Sequence, residues 1–326
     1  MEPCPAPERL HIMKLSGRLV RVLPMILLVA AIACAGDDSR ATGESIIGQT
    51  AQGVPDALET GDPTPTPEPT PSTTPSEPFH FVAIGDFGTG RVEQKQVADR
   101  MCAFRQKHPF DMVVTTGDNI YASGQPEAFA SKFFEPYDCL LSDGVRFRSA
   151  LGNHDIVSDN GRPELEEPAF GMEARNYVVR RAGVRFVIAN SNALNMEWLR
   201  NALSPQTGDA WTVVSFHHPV FSGGNEHGPT PGFADSLPDL FARKGVDLVL
   251  TGHDHVYSVS REVRGIRYVV TGGGGARGYG CKDAPKVVRC IPKFHFLSVT
   301  VGPTEITVKA IPRFGAPLHR FSTDGV

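Results

Sequence analysis

The chain of 326 residues lacks an apolar run long enough to cross a bilayer. The apolar run at residues 22–33 carries no charge but is only about a dozen residues, where a span needs about 20. It lacks an excess of either charge: 32 basic and 36 acidic residues leave a net −4. No basic cluster is interleaved with aromatic residues, so no nucleic-acid partner is expected. None of the six cysteines has the spacing of a zinc site. No internal repeat is visible, and a single folded domain is expected. What is left, 40% apolar and 21% charged residues, is the make-up of a soluble globular protein.

What is present begins with an export signal, assigned to residues 1–35. Lys14, Arg18 and Arg21 precede the apolar run, whose length suits a signal-peptide core. Met13 is a candidate start, because residues 1–12 do not look like the basic leader of such a signal. The run ends in Ala31-Ile32-Ala33-Cys34 and continues Ala35-Gly36-Asp37. This resembles a bacterial lipobox with Ala31 where leucine is usual. Cys34 would then be lipidated, and a lipid there would be the only membrane attachment. Ala33-Cys34-Ala35 also fits ordinary cleavage after Ala35. Loss of residues 1–33 removes four basic and two acidic residues and takes the net charge from −4 to −6.

Residues 36–78 show no hydrophobic periodicity, and Pro63-Thr64-Pro65-Thr66-Pro67-Glu68-Pro69-Thr70-Pro71 reads as an extended, semi-rigid tether. The folded domain is expected over residues 79–326. Strands are predicted at residues 79–84, 112–116, 145–151, 211–216 and 247–251, with a hairpin pairing 176–181 with 184–190. Helices are predicted at 94–107, 128–134, 196–203 and 234–244. From Val256 the pattern becomes β-rich, with hairpins around Arg264-Gly265 and Gly302-Pro303 and a last strand near 318–321. The result is α/β alternation with a β-rich close. In an exported chain the four remaining cysteines are free to pair. Cys281 and Cys290 bracket a short loop and are the favoured pair; Cys102 with Cys139 is a second pairing, unless either is simply buried.

Five of the predicted strands run into loops carrying metal-ligand types: Asp86; Asp118 with Tyr121; Asn153 with His154; His217; and His253 with His255. Taken singly, each has an ordinary explanation as a turn, a loop cap or a buried imidazole. Taken together they form a coherent donor set. Two carboxylates, a phenol, an amide oxygen and three imidazoles suit two adjacent cations, one favouring hard oxygen donors and one borderline. A phenolate favours a trivalent ion such as Fe(III). A carboxylate just past a strand also stands where open α/β sheets place their ligands.

Gly85-Asp86-Phe87-Gly88, Gly117-Asp118-Asn119-Ile120-Tyr121, Gly152-Asn153-His154-Asp155, Val214-Ser215-Phe216-His217 and Gly252-His253-Asp254-His255 resemble the five motifs of the purple acid phosphatases, within the calcineurin-like metallophosphoesterases. Asn225-Glu226-His227-Gly228-Pro229-Thr230, Trp198-Leu199 and Thr271-Gly272-Gly273-Gly274-Gly275-Ala276 are similar to stretches of the small, tartrate-resistant members. The likeness covers residues 79–276 and thins over the Cys281–Cys290 loop.

The resemblance implies an α/β (α+β sandwich) fold of two mixed β-sheets flanked by helices. It implies a dinuclear centre, with Asp86, Asp118, Tyr121 and His255 holding Fe(III), and Asp118, Asn153, His217 and His253 holding a divalent Fe, Zn or Mn. Most of the wider superfamily has Asp-x-His in the first motif and no tyrosine in the second; here Gly88 replaces that histidine and Tyr121 supplies a donor. The implied activity is hydrolysis of phosphate monoesters by a metal-bound hydroxide. His154 and His227 are the candidates for protonating the leaving group. His218 stands where the small enzymes have tyrosine and is a pocket-wall candidate. Asp155 either orients His154 or caps its loop.

A small phosphorylated substrate, a monomer, and an envelope-anchored, periplasmic or extracellular location complete the expectation. The net negative charge requires local positive charge to collect such a substrate. A phosphodiesterase or nucleotidase on the same core is the alternative, followed by a metal-binding surface protein without catalysis.

Overall fold

The computed structural model describes residues 77–204 and 206–324. The export signal, Cys34 and all of the tether except Glu77 and Pro78 lie outside the described residues. Among the described residues no helix is long and apolar enough to cross a membrane.

The first strand, β1 (Phe79–Ile84), shows how the layers arise. Successive side chains of a strand point to opposite faces. Phe79, Phe81 and Ala83 enter one apolar core, and Val82 and Ile84 enter another. β1 is therefore covered on both faces. β2 (Met112–Thr115) and β3 (Arg146–Arg148) lie parallel beside it. In chain order there follow β4 (Tyr177–Arg181), β5 (Val184–Ile188), β6 (Trp211–Ser215), β7 (Leu248–Thr251), β8 (Tyr257–Ser260), β9 (Arg267–Thr271), β10 (Val287–Ile291), β11 (His295–Val301), β12 (Glu305–Pro312) and β13 (His319–Asp324).

One sheet has the order β13-β12-β11-β1-β2-β3 and the other β10-β8-β9-β7-β6-β5-β4. β5, β6, β7 and β9 run parallel, while β4, β8 and β10 are antiparallel to their neighbours. The core between the sheets joins Phe81 and Val299 of the first to Phe186, Val213 and Leu250 of the second. Helices α1 (Val92–Arg105) and α2 (Glu135–Leu141) cover the outer face of the first sheet, through Val97, Met101, Tyr137 and Leu140. After the short α3 (Arg162–Glu166), helices α4 (Met196–Ala202) and α5 (Phe233–Arg243) cover the second, through Leu199, Leu237 and Phe241. Two mixed sheets flanked by helices is the architecture expected.

Three local readings needed correction. The helix predicted at 128–134 continues as α2 to Leu141, because Pro136 falls in the first turn, where its missing N–H breaks no hydrogen bond. The strand predicted at 145–151 pairs only over Arg146–Arg148, since Ser149 leaves the sheet and donates its N–H to Phe170. β10 went unpredicted: its apolar residues are exposed or half-buried and show no alternation. Cys102–Cys139 and Cys281–Cys290 both form disulfides, the first tying α1 to α2.

Candidate metal centre

The parallel strands all end on one edge of the sandwich, and the loops that leave them there converge. Asp86 follows β1, Asp118 follows β2 and Asn153 follows β3; His217 follows β6, and His253 with His255 follow β7. Each sheet thus contributes half of the site.

The first two loops lock together through backbone hydrogen bonds: Asp86 N to Gly117 O at 3.0 Å, Phe87 N to Asp118 O at 3.2 Å and Tyr121 N to Gly88 O at 2.8 Å. A Cβ on Gly88 would collide with the carbonyl of Asn119. No side chain fits at 88, so a histidine there is sterically excluded, and Tyr121 brings a donor to Asp86 and His255 from the other loop. Asp86, Asp118 and His253 take left-handed backbone conformations, with φ of 58°, 54° and 70°. The N–H of His253 holds both carboxylate oxygens of Asp86 at 3.1 Å.

Two groups of donor atoms result. In the first, Tyr121 Oη lies 3.3 Å from Asp86 Oδ1 and 3.0 Å from His255 Nε2, which is itself 3.4 Å from Asp86 Oδ1. Donor atoms of Asp86, Asp118 and His255 all lie within 4.8 Å of one another, and all three residues are buried. In the second, His217 Nε2 lies 2.9 Å from Asn153 Oδ1 and 3.2 Å from His253 Nδ1, and His253 Nδ1 lies 3.0 Å from Asn153 Oδ1. Asp118 stands between the groups, its Oδ1 3.5 Å from His217 Nε2.

The outer nitrogens fix the tautomers. His217 Nδ1 donates to Thr116 O at 2.8 Å and His255 Nδ1 to Arg277 O at 2.7 Å. Each Nε2 lone pair is thereby turned inward. His217 Nε2 then faces the carbonyl oxygen of Asn153, electron pair against electron pair. Such a contact calls for a cation, and the mixed oxygen and nitrogen donors suit one.

Electrostatics agree. Burial raises the Asp86 carboxyl to about 6, with His255 opposing it, and raises Asp118 as well. Burial and both carboxylates push the Tyr121 phenol well above its usual value. On the other side, burial and neighbouring imidazoles hold His253 down to about 2 and His217 well below the usual range. His255 is lowered by burial, yet its hydrogen bond to Asp86 and that carboxylate's charge outweigh this and leave it raised. In the metal-free protein, Asp86 keeps its proton up to about pH 6, while His217 and His253 stay neutral. Both conditions are reversed or exploited by a bound cation.

The remaining predicted residues ring this centre. His154 donates its backbone N–H to Asp118 Oδ1 at 3.0 Å, and its Nδ1 meets Ala122 O at 2.6 Å. Its side chain is 38% exposed, and Nε2 lies 4.0 Å from Asp118 Oδ2. His227 is exposed and stacks on His253 with ring centroids 4.2 Å apart. His218 bonds Ser191 through Nδ1 at 2.8 Å and stands 4.6 Å from the His253 ring, as a wall residue.

Of the two readings of Asp155, the cap holds. Its fully buried carboxylate accepts from Gly152 N at 2.7 Å, Ile120 N at 3.0 Å and Asn119 Nδ2 at 3.0 Å, and no bond joins it to His154.

Several contributors escaped the sequence reading. Asn119 Nδ2 also donates to Ala150 O at 2.8 Å and Glu164 Oε2 at 2.9 Å, so Asn119, Asp155 and Glu164 bind the second and third loops from beneath. The signal for Asn119 was its place inside a ligand motif; Glu164 gave none. Asp254, flanked by His253 and His255, accepts from His227 N at 3.1 Å, Gly228 N at 3.0 Å and the Ser222 hydroxyl, and so anchors the His227 loop. Tyr279 stacks on His255 at 4.2 Å and 18°, and its hydroxyl reaches His227 Nε2 at 3.3 Å.

Comparison with known proteins gives this constellation a context. The family model described as calcineurin-like phosphoesterase matches residues 79–257. A tartrate-resistant acid phosphatase type 5 of Mus musculus is 24% identical over 300 residues, covering 74% of this chain and 89% of that protein. Purple acid phosphatase 3 of Arabidopsis thaliana is 26% identical over 281 residues, covering 74% and 76%. A purple acid phosphatase from yellow lupin seeds superposes with a TM-score of 0.65 at 17% identity, over 76% of this chain and 54% of that one.

Proposed function

The chain belongs to the calcineurin-like phosphoesterase family, a family of hydrolases, and from that premise we propose that it cleaves phosphate monoesters at a dinuclear metal centre. The observation that carries the reading is the position of Asp118, within 4.8 Å of the donors of Asp86 and His255 and 3.5 Å from His217 Nε2. One carboxylate so placed can serve two cations. Asp86, Tyr121 and His255 would complete one site, and Asn153, His217 and His253 the other. Because its phenol is pushed so high, Tyr121 gives up its proton only to a strongly charged ion, which favours Fe(III) in its half and a divalent ion in the other.

When bound, the pair would supply Lewis acidity toward phosphate oxygens and a lowered pKa for water. The chain's own residues do the rest. Neutral His217 and His253 need shed no proton to act as donors. His154, 4.0 Å from Asp118 Oδ2, and His227, stacked on His253, are the imidazoles that would protonate a leaving alkoxide, a contribution on the order of 10²–10⁴ in rate. Asp254 and Tyr279 hold His227 in place. The monoester reading draws on the acid-phosphatase names of the relatives.

Export is part of the same reading, and the two disulfides suit an oxidising compartment. Labelled palmitate on wild type but not on Cys34→Ser would establish lipid anchoring.

The deciding experiment combines metal analysis, an absorption spectrum, and rates on mono-aryl and bis-aryl phosphates. About two metals per chain, a visible charge-transfer band and faster monoester cleavage are expected. Preference for the diester would make the protein a phosphodiesterase, and metal without turnover would make it a binding protein.

A further inference from the structure

Residues 277–293 differ from the rest of the chain in charge. They carry Arg277, Lys282, Lys286, Arg289 and Lys293 against the single acid Asp283, in a chain of net −4. All five cations are exposed. Lys286 lies over the Phe221 ring at 4.9 Å, whereas the side chains of Arg277 and Lys282 have no ion-pair or hydrogen-bond partner among the described residues.

These two residues stand on a segment built into the wall of the site. The Arg277 carbonyl accepts from His255 Nδ1 at 2.7 Å. Two residues on, Tyr279 covers the His255 ring and reaches His227. Gly280 and Asn225 exchange hydrogen bonds of 3.0 and 3.1 Å, Gly224 bridges Cys281, and Lys282 N donates to Gly223 O at 2.8 Å. The Cys281–Cys290 disulfide closes the segment behind them. The Lys282 ammonium lies 3.6 Å from where a Cβ on Gly228 would stand, beside the residue that follows His227. Lys282, its backbone held by these contacts, therefore presents an unpaired ammonium beside the His227 loop. In a chain of net negative charge, an unpaired cation beside the centre adds local attraction for a second anionic group on a substrate.

We propose that Lys282 and Arg277 form a subsite for a second anionic group, so that the preferred substrates are small phosphate monoesters that also carry a carboxylate or a further phosphate. This deepens the phosphatase reading and rests on it.

The test compares p-tolyl phosphate with p-carboxymethylphenyl phosphate, two esters with similar leaving groups, on the full metal-loaded chain. Wild type should favour the carboxylate ester in KM on the order of fivefold at low ionic strength, and less in high salt. Arg277→Ala/Lys282→Ala should bring the ratio toward one, and Lys282→Glu should invert it. The same ratio in wild type and the double variant, or a ratio insensitive to salt, overturns the subsite.

If neither ester is cleaved, the phosphatase reading fails on its own account. Binding of p-methylbenzyl and p-carboxybenzyl phosphonates then reads the subsite alone. Tighter binding of the carboxylate form to wild type, lost in the double variant, supports it; equal binding, or none, overturns it.

Discussion

Protons and cations compete for the same buried atoms, and the competition should be unequal between the two halves of the centre. Asp86 holds its proton up to about pH 6, so a cation beside it must displace that proton at any lower pH. At pH 4 the displacement weakens binding about 100-fold, or about 2.7 kcal/mol at about 1.36 kcal/mol per unit. His255, also raised, adds to the penalty in the same half. In the other half His253 is not protonated until about pH 2 and His217 is likewise depressed, so neither competes. Asp118 penalises both sides alike.

The assay loads the metal-free chain with one divalent ion at both sites and equilibrates it against a chelator between pH 4 and 7. Bound metal should fall in two phases, and the phase sensitive to Asp86→Asn should have the steeper pH dependence. Equal slopes, or a steeper slope for the phase sensitive to His217→Ala, would refute the reasoning.

The sign for stability follows from the same group. A folded-state value of about 6 against an ordinary 3.8 favours the protonated fold. That contribution is complete below about pH 3.8 and lost as pH rises through 6, a loss of about 3 kcal/mol by neutrality. Asp155, also raised to about 6, acts in the same direction. The gain in melting temperature on adding metal should therefore be larger at pH 7.5 than at pH 4.5.

Other expectations can be checked separately. Tyr121→Phe should abolish the visible band while retaining most of the bound metal; an unchanged spectrum would remove Tyr121 from the iron. His227→Ala should slow esters with poor leaving groups by about 10²-fold and activated aryl esters far less. Tyr279→Phe, which keeps the ring on His255, should show a weaker form of the same leaving-group dependence; an equal fall on all esters would argue against its role in holding His227. Glu164→Ala should cost about 3 kcal/mol in denaturant unfolding, from the lost Asn119 acceptor and the cavity left behind. Glu164→Gln, which keeps the shape and a donor toward Asp155, should cost under about 1 kcal/mol.

Four of the five strand ends were legible because an apolar β run is broken by Gly-Asp, Gly-Asn or Gly-His, dipeptides that mark both the turn and the donor; the fifth runs through Phe216 straight into His217. The strand at 79–84 was legible as a strand, but only the structure shows that its alternate side chains serve different cores. Contributions made by tertiary proximity could not be read. Glu164 is one acid in the acidic stretch Glu164–Glu167, and only the fold shows that it alone is wholly buried under Asn119. Tyr279 lies in a polar Gly-rich segment whose local pattern predicts a loop and nothing about which ring it will cover. The role of Asp155 was open because spacing places it near both His154 and the loop backbone, and only hydrogen-bond directions choose between them.

The left-handed backbone at His253 has a consequence for how this sequence can drift. A side chain at φ 70° costs about 1 kcal/mol or more that glycine would not incur. His253→Gly should therefore make the metal-free chain easier to fold, even as it removes a donor from the centre. A lineage selected for stability alone would gain from glycine at this position. Histidine there costs the fold something in every generation, and cation binding is what could repay it.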